Sequence, residues 1–216
     1  MAYKFAFVAA CFGVALASYF FCRSRKDWLW LVLGLAFTVA ADYFLVLHGL
    51  HYIGVAVFCF AHVAYIVRAV NASPGGLRRV LPVLAVIVAA LAYFVLALCV
   101  LSWLNRIHSS SRVFVIIFSV ETVAIVYALL FITNIYVSAR YIRHNRVLVI
   151  AGLLLFAACD ICVLLFNLPF YFGAPGWLRG VFPLIWVFYL PSQALLAVSA
   201  VDFTRFHCQR RNSHIS

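Results

Sequence analysis

Seven apolar runs follow one another with little polar chain between them, at roughly 4–22, 28–48, 52–70, 80–104, 113–136, 147–168 and 178–201. Each is close to the ~20 residues that carry a helix across a hydrocarbon core. Lipid offers no partner for backbone N–H and C=O groups, so each run must satisfy its own as an α-helix. The chain is 68% hydrophobic and 10% charged, with a mean hydropathy of +1.13. A water-facing surface needs far more, since about a quarter of residues are charged in globular domains. The expected fold is therefore all-α: a polytopic transmembrane bundle of about seven spans, forming a single domain over 1–216. The first run has no small-residue cleavage site with a polar segment after it, so it is expected to stay as a helix rather than leave as a signal peptide. Trp28, Trp103 and Trp177 fall at span ends, as an interfacial aromatic belt requires.

Charge sets the expected orientation. Arg23, Arg25 and Lys26, then Arg68, Arg78 and Arg79, then Arg140, Arg143 and Arg146, then Arg205, Arg210 and Arg211 all fall on one side of a seven-span chain. Lys4, Arg106, Arg112 and Arg179 fall on the other. The positive-inside rule then places the N-terminus outside and the C-terminus in the cytoplasm. The net charge of +11 is spread in short clusters between apolar runs, which points to membrane topology and not to nucleic acid. The host would be an endomembrane such as the endoplasmic reticulum in a eukaryote, or the cytoplasmic membrane in a bacterium. Cys159 and Cys162 form C-x-x-C. Inside a span they read as small packing residues rather than as a redox or metal pair.

Acidic residues are the exception that carries chemistry. Of five, Asp27 and Asp202 lie at span ends, while Asp42, Glu121 and Asp160 lie within spans. A helix rises about 1.5 Å per residue, so Asp42 and Asp160 stand roughly 20 Å above the cytoplasmic ends of their spans, and Glu121 roughly 12 Å below the outer side. In a core of about 30 Å the three share a level. His62, Tyr65, Tyr189, Ser192 and Gln193 fall between that level and the membrane centre. A lone Ser or Gln in a span is helix–helix glue. Carboxylates converging with a histidine argue for a functional cavity, because unpaired charge in lipid is so unfavourable. "VAADYFLVL" (39–47) and "AACDICVLL" (157–165) are alike, and each precedes a span with polar residues, so a parallel internal repeat is expected.

Two carboxyls that share a low-dielectric site divide into a protonated acid and an ionised base. The arginines and lysines lie at span ends, so His62 is the one candidate cation in the layer. A zinc site would want three or more ligands, and only one histidine lies at depth, so no metal is expected. Ser192, His62 and an aspartate would make up a triad in residue type, but no Gly-x-Ser-x-Gly elbow accompanies them.

Four short motifs, in order, resemble the YhhN-like family of integral membrane proteins, which includes the lysoplasmalogenases. They are Ala41-Asp42; Ala61-His62-Val63-Ala64-Tyr65; "AGLLLFAACD" (151–160) ending in Cys159-Asp160; and Tyr189 with Gln193 in "YLPSQALLAVSA" (189–200). The family pattern has Gly before the first Asp and Ser before the second, where this chain has Ala41 and Cys159. Family members commonly have eight spans, of which this chain would lack the first. Glu121 has no counterpart in the family pattern. The resemblance implies hydrolysis of the vinyl ether bond of a lysoplasmalogen, giving a fatty aldehyde and a glycerophospho-alcohol. Asp42 and Asp160 would be the catalytic acid and base, in either assignment. His62, Tyr65, Glu121, Tyr189, Ser192 and Gln193 would be accessory groups that orient water, substrate or the carboxyls. The partners implied are a lysophospholipid substrate and membrane lipid, with room for a homodimer and with no organic cofactor. The alternatives are a seven-span transporter or proton-coupled carrier, and a family member that binds lipid without cleaving it.

Overall fold

The computed structural model describes residues 2–72, 112–172 and 175–202, with positions 82, 85, 86, 89, 92, 93, 96 and 100 between them. Most of the expected span 80–104 lies outside the described residues. The described chain is helical: α1 (Ala2–Ala17), α2 (Arg25–Asp42), α3 (His51–Asn71), α4 (Arg112–Tyr141), α5 (Arg146–Phe172) and α6 (Phe182–Val198). Short 3-10 turns, Ser18–Phe21 and Gly176–Val181, extend α1 and precede α6. A π-helical turn, Tyr43–Leu47, continues α2. With these extensions, six helices among the described residues are long and apolar enough to cross a membrane. Extended pairing among the described residues is limited to one isolated bridge, Cys22 with Val201.

The helices group into two compact units, Leu33–Ile142 and Ala2–Val32 with Arg143–Ser216. In the first, α2 and α3 run antiparallel. Gly34 sits so close to Tyr65 that a Cβ there would overlap the phenol ring, and Gly54 does the same to Leu45. The α3–α4 pair runs parallel: Phe58 meets Tyr127 at 6.3 Å and His62 meets Phe131 at 4.6 Å between ring centroids. Asn71 and Arg112 thus stand at opposite ends of that pair, and the seven-span expectation requires this because one crossing separates the two helices.

The second unit repeats the arrangement with other helices. α5 and α6 are antiparallel, with Gly152 against Leu196, Phe156 against Tyr189 at 5.5 Å, and Phe166 against Phe182 at 5.3 Å. α1 lies parallel to α6. Lys4 meets Phe182 and Trp186 near the start of that helix, and Phe21 O accepts from Asp202 N–H at 3.0 Å beyond its end. Val8, Cys11, Ala15 and Ser18 form the buried stripe of this first span, at the spacing of one helix face. Asn145 holds the other end, with a left-handed φ of 50°. Its amide donates to Ser199 O at 3.1 Å and to Val201 O at 2.7 Å.

Candidate active site

Asp42 is the last residue of α2 before the π turn, and only 4% of it is exposed. A π turn widens the helix and shifts its hydrogen-bond ladder by one residue, a distortion that recurs at functional sites. Here it ends at Leu47, and Gly49 just beyond has a φ of +65°, the left-handed geometry that glycine adopts without strain. Leu50 N–H then reaches back to Phe44 O at 2.9 Å. The register set by Gly34–Tyr65 and Leu45–Gly54 puts Asp42 level with Val57 and Phe58, about one helical turn from His62.

His62 is fully buried. Its ring stacks on Phe131 at 4.6 Å with a 26° tilt and meets Tyr127 edge-on at 5.0 Å. Ser138 Oγ donates to Asn134 Oδ1 at 3.1 Å, which turns the Asn134 amide so that Nδ2 faces His62 Nδ1 at 3.2 Å. With the amide so oriented, Nδ1 is an acceptor and the ring proton sits on Nε2. In that tautomer the histidine is a donor through Nε2. Tyr65, one turn further along α3, is buried against the bare face of Gly34. Thr38, on α2 beside it, donates from Oγ1 to Gly34 O at 3.1 Å.

Asp160 lies on α5, one turn beyond Phe156, and is partly exposed. On α6, Tyr189, Ser192 and Gln193 are buried and share a face with Leu196. Tyr189 is framed by Phe156 at 5.5 Å and Trp186 at 6.0 Å. Ser192 Oγ donates to Tyr189 O at 2.7 Å and accepts from Gln193 Nε2 at 3.4 Å. Its proton is thus committed to its own helix, which fits a positioning group better than a nucleophile. Gln193 Oε1 is buried without a hydrogen-bond partner among the described residues. Pro191 removes one backbone donor from the same stretch of α6.

The structure thus gathers Asp42, His62 and Tyr65 within one unit, and Asp160, Tyr189, Ser192 and Gln193 within the other. Glu121 belongs to α4, but its side chain lies outside the described residues. Asn134 and Ser138 escaped the sequence reading, although an Asn and a Ser four residues apart in an apolar span are a sign of a hydrogen-bonded interface. Lys4 also differs from expectation. It stays in the first turn of α1, yet its ammonium lies 4.0 Å from the Trp186 ring centroid and only 9% of the residue is exposed. Arg68, in the last turn of α3, is buried too. Among the described residues no three His, Cys, Asp or Glu side chains group as a metal site.

An all-α, multi-pass membrane protein with carboxylates set inside its spans is the class these features define. The chain matches the YhhN family over residues 4–200 and belongs to that family. No curated protein and no solved structure matches it.

Proposed function

We propose that the protein hydrolyses the vinyl ether bond of lysoplasmalogens, with Asp42 and Asp160 as its acid and base. The observation that carries this reading is Asp42, a carboxyl nine-tenths buried at an α-to-π junction in a YhhN-family chain. A carboxyl kept at that depth without a function would be a standing cost. Vinyl ether hydrolysis needs what such a group supplies. A carboxylic acid delivers a proton to the alkene carbon remote from oxygen, leaving an oxocarbenium ion. Water, relieved of a proton by the second carboxylate, adds to the cationic carbon. The resulting hemiacetal collapses to a fatty aldehyde and the glycerophospho-alcohol, so one water is consumed and the proton is returned.

The accessory groups have roles consistent with this chemistry. His62, a donor through Nε2, and Tyr65 offer protons for hydrogen bonds to a carboxylate or to water. Gln193 Oε1, still an acceptor, suits a proton of the attacking water or a glycerol hydroxyl. Seven spans with an outside N-terminus remain part of the proposal: the parallel α3–α4 and α1–α6 pairs support the count, and the charge bias supports the orientation.

The test is aldehyde release from a vinyl-ether lysophospholipid by purified wild type, Asp42→Asn and Asp160→Asn, with an acyl lysophospholipid as control. Loss of turnover in both folded variants is the expected result. A wild type inert on every vinyl-ether headgroup would sink the hydrolase and leave a lipid binder or a carrier.

A further inference from the structure

Lys4 and Trp186 form a cluster that the proposed chemistry does not use. The Lys4 ammonium lies 4.0 Å from the Trp186 centroid and 5.0 Å from that of Phe182, with its neighbour Tyr3 at 5.7 Å. Lysine is almost never this buried unless paired. Yet its contacts among the described residues are with aromatic rings, which hold a cation while leaving its N–H bonds without an acceptor. The Trp186 indole N–H, alongside, is buried with no hydrogen-bond partner among the described residues. Both groups are donors only. These two donors, with no acceptor between them among the described residues, make a site suited to a group that brings oxygen and negative charge.

We propose that Lys4 and the Trp186 indole N–H form the subsite that binds the phosphate of a lysophospholipid headgroup. The choice of lipid rests on the vinyl-ether hydrolase reading; the anion chemistry stands on the cluster itself. Position favours a headgroup. Lys4 and Phe182 lie at the same end of α1 and α6, next to the 3-10 turn that carries the exposed Trp177 and Arg179. That is the composition of a membrane–water boundary. From Trp186 the α6 face continues to Tyr189, whose ring packs on Phe156; Asp160, one turn along the antiparallel α5, comes back to about the level of Trp186. The atoms between the phosphate and the sn-1 ether of a lysolipid span about the pitch of one helical turn. A phosphate at Lys4 therefore keeps the ether within about a turn of the level of Asp160, and the Lys4 charge offsets the phosphate close to a carboxyl.

The experiment separates binding from turnover by using lipids that cannot be cleaved. Equilibrium binding is measured for a 1-alkyl lysophosphoethanolamine and for the 1-alkylglycerol of the same chain, with the full protein in nanodiscs. Wild type should prefer the phosphate-bearing lipid. Lys4→Met should remove roughly 10- to 100-fold of that preference, the worth of a hydrogen-bonded charge, with alkylglycerol binding unchanged. Lys4→Arg should restore most of it, and Trp186→Phe, which keeps a ring and loses the donor, should lose about tenfold. An undiminished preference in folded Lys4→Met would overturn the subsite. Inorganic phosphate that binds through Lys4 while the two lipids bind equally would overturn the headgroup assignment in favour of a free anion. A Lys4-dependent preference in a protein that cleaves no vinyl ether supports the subsite and discards only the hydrolase.

Discussion

The two units are built alike around different polar interiors. In each, the aspartate-bearing helix runs antiparallel to the next polar helix, and a further helix lies parallel to that one. "GLAFTVAAD" (34–42) and "GLLLFAACD" (152–160) place a glycine eight residues before the aspartate, and each glycine meets its neighbouring helix closely. Burial follows the same rhythm, with Leu35, Thr38 and Ala41 buried in one and Leu153, Phe156 and Cys159 in the other. Beyond that frame the units diverge. The first closes its histidine into a bonded line, Ser138 to Asn134 to His62. The second leaves Gln193 Oε1 and the Trp186 N–H without hydrogen-bond partners among the described residues, and the first leaves the Tyr65 hydroxyl in the same state. The first interior ties its buried amide, Asn134, into a line of side chains, whereas the buried amide of the second, Gln193, keeps its oxygen open. Shared backbone geometry therefore does not make the units interchangeable.

The sharpest test of the likeness is activity. Asp42→Asn and Asp160→Asn should each reduce vinyl-ether turnover by about 100-fold or more, the usual worth of a general acid or base. A deficit in only one would mean that the matched stretches share packing and not chemistry. Packing itself is tested at the glycines. Gly34→Ala forces a methyl into the buried Tyr65 ring and should cost about 1–3 kcal/mol in reversible unfolding from mixed micelles. Gly152→Ala meets Leu196 Cγ at 3.0 Å and Ser192 O at 3.2 Å, a milder overlap, and should cost less. Equal losses would show that Tyr65 is less firmly held than its burial implies.

Polar substitutions probe the divergence. Asn134→Leu strips His62 of a bonded neighbour and should destabilise by about 1 kcal/mol, the scale of an interhelical hydrogen bond in a membrane. Gln193→Leu removes an oxygen that has no hydrogen-bond partner among the described residues, so its unfolding midpoint should match or exceed that of wild type while turnover falls. A loss of stability there as large as at Asn134 would erase the distinction between the bonded and the open amide. At the small end, Thr133 is half-buried and bonds within its own helix to Leu129 O at 2.7 Å. Thr133→Val should stay within about 0.5 kcal/mol of wild type, and sets the floor for the series.

Much of the frame was legible before any coordinates. The spans 28–48, 52–70 and 147–168 foreshadow Arg25–Leu47, Ile53–Asn71 and Arg146–Pro169 closely. Hydropathy is a local property, and in lipid each segment must satisfy its own backbone. The likeness of the two aspartate stretches was visible for the same reason, since it lies in contiguous residues. The site was legible in its titratable members, because a carboxyl or histidine inside an apolar run stands out. It was not legible in Asn134, Lys4 or the π turn after Asp42. A hydrogen bond from Asn134 to His62 joins residues 72 apart in the chain, and no local pattern names that partner.

The sequence by itself determined that the chain is helical, that it is made for lipid, and that carboxylates lie inside its spans. Each follows from the solvation of single residues and short segments. Only the tertiary structure decided that His62 meets Asn134, that Lys4 lies over Trp186, and which buried oxygens find no partner among the described residues. Those are outcomes of side chains meeting across helices, where the low dielectric makes every pairing or missing partner count.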